Sequence, residues 1–243
     1  MKIAMWSGPR NLSTACMYAF GNRADCAVID EPFYAAYLAA TGLDHPMRAE
    51  VLASQTTDAA IVSAALTGSN PGELPHFYQK HMAQHMVEGV PLAWMANVKN
   101  VFLIRHPARV VASFAAKHHA TTLADTGFVQ QERLVKRVVE MGQRALVVDS
   151  SDIRENPRGM LMSLCSALDL PWDEAMLKWP AGGRVEDGIW AAHWYGAVHR
   201  STGFAGPEGD LPVLTGENAQ IVAQAMPIYD QLRAQAISAR NAD

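Results

Sequence analysis

The chain has little cysteine, and its cysteines do not have the spacing of a metal or redox motif. Its 243 residues include three cysteines, and no two of them form a C-x-x-C pair. So small and odd a number excludes a disulfide framework and a cysteine-rich zinc site. Cys16 and Cys165 lie in helical patterns, and we interpret them as small core residues.

The chain also lacks long apolar runs and any excess of positive charge. No apolar run approaches the roughly 18 residues that a membrane-spanning helix requires. The N-terminal apolar run is interrupted at Pro9, unlike a secretory signal peptide. A net charge of −4 disfavours non-specific nucleic-acid binding. We therefore expect a soluble, cytoplasmic protein that binds neither a membrane nor nucleic acid, and its oligomeric state is left open.

Short apolar segments that alternate with helical patterns predict an α/β protein. Strands that are apolar without alternation are typical of a parallel sheet with helices on both faces. We predict strands at residues 3–6, 26–29, 76–79, 101–104 and 145–148, and a short amphipathic segment at 33–40. Helices are predicted at 12–21, 45–66, 108–116, 128–141, 157–168 and 215–239, with Pro227 kinking or dividing the last helix. The predicted organisation is a single domain over residues 1–243, with a helical insertion at 40–75 and a C-terminal loop and helix at 180–243.

Polar side chains follow the predicted strands at the points where the strands end. The residues in this position are Arg10, Glu31, Lys80 with His81, Arg105 and Asp149. Because the carboxyl ends of parallel strands meet at one edge of the sheet, where such folds bind ligands, we expect one site there.

The loop after the first strand has the composition of an anion-binding loop. It places Arg10 and the hydroxyls of Ser13 and Thr14 before a helix. A helix N-terminus and a planar guanidinium both favour phosphate or sulfate. The nucleotide-binding pattern G-x-x-x-x-G-K-[ST] fails here, because from Gly8 its lysine falls on Thr14. An ordinary strand–helix turn, with Ser13 as N-cap and Arg10 solvated, is the alternative.

A second anion-binding feature follows the strand at 101–104. Arg105 leaves the strand end, and Ser113 lies about two turns into the next helix, so both can face one pocket. The alternative is a structural ion pair for Arg105 and a solvent-facing Ser113. Two anion sites on one sheet suggest a ligand with phosphates at two separate points.

These motifs, taken as a set, resemble those of the PAPS-dependent sulfotransferases, whose donor is 3′-phosphoadenosine-5′-phosphosulfate (PAPS). Residues 9–14 (PRNLST) are similar to the family's 5′-phosphosulfate loop, and 103–113 (LIRHPARVVAS) to its 3′-phosphate motif. Residues 149–171 resemble a third segment that follows in the same order. The resemblance implies a P-loop NTPase-like α/β fold that binds PAPS, releases the bisphosphate PAP and needs no metal.

The resemblance also implies the site residues. The 5′-phosphosulfate would be held by Pro9, Arg10, Asn11, Leu12, Ser13 and Thr14, the 3′-phosphate by Arg105 and Ser113, and Arg200, Ser201, Thr202 and Gly203 would form a basic-glycine segment that closes over it. The chain departs from the family at Leu12, usually Gly, at Ala15, usually a Trp that stacks on adenine, and at Ser150, usually Tyr. Trp190, Trp194 and Tyr195 are candidates for the missing aromatic contact.

Sulfuryl transfer needs positive charge at the leaving phosphate and a base for the acceptor. Arg10 and Lys80 would supply the charge. Glu31, which ends a strand, and His81, which lies near the family's Lys-Thr-His segment, are both candidate bases, and the choice stays open. His81 and His85 would share one helix face and His118 adjoins His119, but we expect no metal, since no H-E-x-x-H is present.

The acceptor is expected to be a small, mostly apolar molecule with a hydroxyl or amine. Its walls would come from residues 34–75 and 117–130, which are poor in cations. The side chains offered there or close by are Tyr34, Tyr37, His45, Phe77, His118 and His119. A nucleotide-dependent, kinase-like phosphotransferase and a non-catalytic module that binds PAP or another nucleotide are the alternatives.

Overall fold

The fold is built on five parallel strands. The computed structural model describes residues 1–116 and 121–239. The strands are β1 (Lys2–Ser7), β2 (Cys26–Asp30), β3 (His76–Met82), β4 (Lys99–Ile104) and β5 (Leu146–Asp149). They pair in the order β2-β3-β1-β4-β5, and every pairing is parallel. The predicted single α/β domain with a central parallel sheet is confirmed.

Helices cover both faces of this sheet, which explains why its strands are apolar without alternation. They are α1 (Ser13–Gly21), α2 (Tyr34–Thr41), α3 (Arg48–Ser54), α4 (Ala59–Thr67), α5 (Pro107–Ala115), α6 (Phe128–Glu140), α7 (Ser150–Glu155), α8 (Pro157–Ala167), α9 (Ala191–Trp194), α10 (Gly196–His199) and α11 (Gly216–Arg233). Met5 and Leu103 pack with α1 and α8 on one face, whereas Trp6 and Phe102 pack with α6 and α11 on the other. None of the described helices is both long and apolar enough to cross a membrane.

Two helix predictions were wrong in detail, and one short helix was missed. The helix predicted over 45–66 is two helices, α3 and α4, because the Asp58 carboxylate accepts the main-chain N–H groups of Ala60 and Ile61 and starts a new helix. Helix α11 continues through Pro227 and ends at Arg233, held to the core by Tyr229 and Leu232 beyond the proline. The short helix α7 was not predicted; the Asp149 side chain caps it.

The strand predicted at 76–79 is longer than expected, and this difference determines which side chains face the cavity. β3 lies between β1 and β2, and it pairs with both up to their carboxyl ends, with Ser7 opposite Met82 and Asp30 opposite Lys80. Lys80 and His81 are therefore strand residues. Because successive side chains of a strand point to opposite faces, the two cannot serve the same side of the sheet.

The three cysteines are free and buried, and all lie in the core on the α1 and α8 face. The prediction that Cys16 and Cys165 are core residues is confirmed.

The loop after β1 passes in backbone contact with the turn that precedes α6. A Cβ at Gly8 would lie 2.3 Å from the main-chain oxygen of Thr126, and a Cβ at Gly127 would lie 3.0 Å from the Cα of Gly8. Such a separation is too short for a real Cβ, so only glycine fits at position 8. The close approach fixes the path by which the chain leaves β1.

We predict that Gly8→Ala lowers the free energy of unfolding by about 1–3 kcal/mol, because its methyl group can be placed only by moving backbone. Gly206→Ala is the matched control, since a Cβ there meets open space, and it should change stability by no more than about 0.5 kcal/mol. Urea unfolding followed by fluorescence measures both. Equal effects of the two substitutions would contradict the assigned contact.

Candidate active site

A cavity of about 830 Å³ lies at the carboxyl ends of β1 to β4. This is the edge at which the sequence predicted a ligand site. The sequence-predicted residues that line it are Pro9, Arg10, Asn11, Leu12, Ser13, Thr14, Glu31, Lys80, Arg105, Ser201 and Gly203. His81, Ser113, Arg200 and Thr202 lie outside its lining. The structure therefore brings most of the predicted residues to one cavity.

The loop between β1 and α1 has an unusual backbone. Arg10 and Leu12 have φ angles of 58° and 61°, in the left-handed region that non-glycine residues rarely adopt. The Asn11 side chain donates a hydrogen bond of 2.6 Å to the carbonyl of Leu103 and ties the loop to the end of β4. Leu12, rather than Ser13, is the N-cap of α1. Because Leu12 cannot cap with its side chain, the first N–H groups of α1 are left for other acceptors.

Arg10 and Arg105 lie beside each other, so the two predicted anion sites are contiguous. The Arg105 side chain donates a hydrogen bond of 2.5 Å to the carbonyl of Arg10. Burial, aided by the charge of Arg105, lowers the pKa of Arg10. Ser113 was predicted to act with Arg105, but its hydroxyl instead accepts a hydrogen bond of 2.9 Å from Arg10 Nε. An anion between the two guanidinium groups would relieve their repulsion.

The other side of Arg105 contacts a carboxylate that sequence reasoning missed. Arg105 donates to Glu208, and Arg109 and Arg154 lie 3.1 and 2.8 Å from the same carboxylate. Burial alone would raise the pKa of Glu208, but these three arginines outweigh it and lower the pKa below its ordinary value. The structure thus shows the ion pair that was the alternative for Arg105, while Arg105 also faces the cavity.

Lys80 lies in β3 near its carboxyl end, where it is buried between two carboxylates. Its ammonium donates to Asp30 Oδ1 at 2.8 Å, to Tyr195 Oη at 2.7 Å and to Glu31 Oε1. An ammonium has three N–H donors, and these partners use all of them. Burial opposes the charge, yet Asp30 and Glu31 raise the pKa of Lys80. Lys80 is therefore held as a cation, and two of its partners, Glu31 and Tyr195, line the cavity.

Glu31 has the position expected of a proton acceptor. It follows β2 with a φ of 39°, and its side chain lines the cavity. Lys80 binds its Oε1, and its Oε2 lies 4.0 Å from His85 Nε2. A carboxylate held by a buried lysine at a cavity wall can take a proton from a hydroxyl or amine within reach.

His81 lies on the opposite face of the sheet from the cavity. Its ring stacks on Trp6 with centroids 4.4 Å apart and contacts Phe33 and Trp94. Burial lowers its pKa to about 3, so the imidazole is neutral at physiological pH. Because it is enclosed by these rings, His81 has no path to an acceptor in the cavity.

His85, rather than His81, lines the cavity. It stacks between Tyr34 and Tyr37, each with ring centroids 4.7 Å away. The prediction that His81 and His85 share a helix face was wrong, because His81 belongs to β3 and His85 to the 3₁₀ turn Ala83–His85. Within residues 1–116 and 121–239, no group of three or more His, Cys, Asp or Glu side chains could hold a metal ion.

The remaining predicted residues are divided between the cavity and its surroundings. The Ser201 hydroxyl accepts from Trp179 Nε1 and donates to the carbonyl of Val198, so it fixes its own loop. Trp194 and Tyr195 line the cavity, whereas Trp190 is buried behind them. Tyr34 and His45 also line it, but Phe77 is in the core rather than the acceptor wall. His118 and His119 lie outside the described residues.

The buried histidines should make the protein lose stability in acid. Unfolded histidine has a pKa near 6.5, whereas in the folded state burial lowers the pKa of His81 to about 3 and that of His85 well below 6.5. Below about pH 6.5 the unfolded state therefore binds protons that the folded state does not, and stability falls as pH falls. We predict a loss of up to about 1.4 kcal/mol per pH unit from each histidine.

Urea unfolding of the protein and of His81→Gln between about pH 6 and pH 5 measures this slope. The variant should have a slope smaller by up to about 1.4 kcal/mol per pH unit, whatever its absolute stability. Identical slopes would mean that His81 titrates in the same way in the folded and unfolded states.

Known proteins resemble this chain in sequence and in fold. A family model described as a sulfotransferase domain matches residues 1–236. The branched-chain-amino-acid aminotransferase-like protein 2 of Arabidopsis thaliana is 35% identical over 232 residues, which cover 95% of this chain and 41% of that protein. The chain thus spans about two fifths of the length of the curated relatives it matches.

Two solved structures share the fold. The sulfotransferase domain from the curacin biosynthetic pathway matches with a TM-score of 0.51 and 14% identity, covering 93% of this chain and 96% of that one. The sulfotransferase from Alicyclobacillus acidocaldarius matches with a TM-score of 0.54 and 10% identity, covering 96% and 94%. They confirm the predicted sulfotransferase architecture. Because the family model extends over almost the whole chain, this protein belongs to the sulfotransferase domain family.

Proposed function

We propose that this protein is a PAPS-dependent sulfotransferase that moves a sulfuryl group from PAPS to a hydroxyl or amine of a small acceptor and releases PAP. The observation that carries the proposal is one cavity lined by Arg10 and Arg105, which follow β1 and β4, and by Glu31, which follows β2. Its volume of about 830 Å³ is in the range of small-molecule sites. Membership of the sulfotransferase domain family supports the reaction class.

The donor would bind across the two contiguous cationic regions. Residues 9–14 and the N-terminus of α1 would hold the 5′-phosphosulfate, with Arg10 at the phosphate, and Arg105 would meet the 3′-phosphate. Ser113 supports this arrangement through Arg10, whose guanidinium it orients. Trp194 lines the cavity and would contact the adenine.

The transfer step follows from this placement. The acceptor oxygen or nitrogen attacks sulfur, the bond from sulfur to the bridging oxygen breaks, and its electron pair stays on the 5′-phosphate of PAP. Arg10 and the N-terminus of α1 stabilise the charge that develops on that phosphate. The acceptor proton goes to Glu31. Sulfur is neither oxidised nor reduced, and no step calls for a metal.

The positions of the two side chains favour Glu31 over His81 as the general base. Glu31 faces the cavity, whereas the His81 ring is enclosed by aromatic side chains on the other face of the sheet. Lys80 acts through Glu31, because its hydrogen bond to the carboxylate keeps that carboxylate oriented. Asp44 and Asp125 add negative charge to the cavity wall, which favours small acceptors that carry no anionic group.

Calorimetric titration with PAP, ADP and ATP–Mg²⁺ tests the donor. We expect micromolar binding of PAP, weaker binding of ADP, and loss of at least about tenfold in PAP affinity in Arg105→Ala, because a charge-assisted contact to phosphate disappears. Arg158→Ala is the control, since Arg158 pairs with Glu174 on the surface. Binding of ATP–Mg²⁺ without binding of PAP would favour the kinase-like alternative.

Turnover of Glu31→Gln tests the base. We expect a decrease of about a hundredfold or more, because the amide cannot accept the acceptor proton, while PAP affinity is retained. The amide oxygen can still accept from Lys80, so the fold should survive the change. Glu186→Gln, a surface substitution, should retain full turnover. Near-normal turnover of Glu31→Gln would remove Glu31 from the role, and PAP binding without any turnover in the unmodified protein would favour a non-catalytic binding module.

A further inference from the structure

Three arginines from separate elements converge on one internal carboxylate beside the cavity. Arg105 follows β4, Arg109 belongs to α5 and Arg154 belongs to α7, and all three contact Glu208. The Glu208 side chain is only 6% exposed, and the arginine side chains are 16–22% exposed. This cluster joins the cavity through Arg105.

The segment that carries Glu208 is attached to the protein largely through these arginines. Arg154 Nε donates a hydrogen bond of 2.7 Å to the carbonyl of Gly206, and Arg109 donates to the carbonyl of Gly209. Arg109 also donates to the carbonyl of Asp210, so residues 206–210 present three carbonyls and a carboxylate to these arginines. We call residues 206–210 the acidic strap. A phosphate group could replace each of these acceptors.

The charges favour such a replacement. The carboxylate supplies one negative charge and two oxygens to three guanidinium groups, whereas a phosphate monoester supplies close to two charges and three oxygens. Arginine forms strong, charge-assisted and often bidentate hydrogen bonds with phosphate oxygens. The cluster is thus better matched to a phosphate dianion than to the carboxylate it holds.

We propose that Arg105, Arg109 and Arg154 form one binding site for a phosphate dianion, in which Glu208 is an exchangeable internal ligand. The inference rests on the proposed function, because the dianion would be the 3′-phosphate of PAPS or PAP. Its entry displaces Glu208 and releases the acidic strap. A nucleotide without a 3′-phosphate leaves the strap in place. Arg109 and Arg154 are then residues that bind PAPS and PAP. Glu208 competes with the 3′-phosphate and so sets the affinity for these nucleotides and the selectivity over nucleotides that lack a 3′-phosphate.

Calorimetric titration of the whole chain with PAP and with adenosine 5′-monophosphate tests the exchange. Glu208→Gln should bind PAP about tenfold or more tightly than the unmodified protein, with unchanged affinity for the monophosphate, because only the 3′-phosphate competes with residue 208. Arg154→Gln should weaken PAP binding about tenfold and spare the monophosphate. Glu174→Gln, which removes a carboxylate from an exposed ion pair with Arg158, should change neither affinity.

Limited proteolysis gives a second measurement that does not depend on any variant. A glutamate-specific protease should cleave after Glu208 faster when PAP is added, because the arginines keep this side chain only 6% exposed until it is released. The monophosphate should leave the rate of this cleavage unchanged. PAP binding that is equal or weaker in Glu208→Gln, or a strap that PAP protects, would overturn the exchange and leave the proposed function standing. If neither the unmodified protein nor Glu208→Gln binds PAP, the proposed function fails and this inference with it.

Discussion

The buried contact of Lys80 with Asp30 and Glu31 is the interaction on which the site depends. Asp30 and Lys80 are register partners at the carboxyl ends of β2 and β3, and their side chains are bonded as well. Removing charges from water is costly unless each is well paired, so Lys80 fixes the positions of both carboxylates. Tyr195 and the main-chain N–H of Gly188 bind Asp30 from the other side. The segment 188–195, whose C-terminal residues line the cavity, is thereby attached to the sheet.

The loop after β1, which also lines the cavity, keeps a costly backbone conformation. A non-glycine residue in the left-handed region costs roughly 1–2 kcal/mol, and both Arg10 and Leu12 adopt it. Three contacts hold the loop there: Asn11 with the carbonyl of Leu103, Arg105 with the carbonyl of Arg10, and Arg10 with Ser113. All three reach the end of β4 or the helix that follows it. The carboxyl ends of β1 and β4 are therefore held together, and the same hydrogen bonds orient the guanidinium of Arg10.

The sequence predicted the sheet and the chemical character of its carboxyl edge, because apolar strands and polar strand ends are local signals. It was less successful where the outcome depends on partners far along the chain. The length of β3 is set by its pairing with β1 and β2. Extending the predicted strand by two residues would have placed Lys80 and His81 on opposite faces of the sheet. Glu208 carries no local signal at all, since it lies in a Gly- and Pro-containing segment and its arginines come from three other elements.

The cysteines of this protein make its unfolding easy to observe. All three lie in the core, where burial raises the pKa of Cys16 and Cys26 to about 12 and that of Cys165 to about 11. The reactive species is the thiolate, so the native thiols are both shielded and protonated. A thiol reagent reaches them only in molecules whose core has opened. The rate of thiol labelling therefore reports directly how often the native core opens, without any added probe.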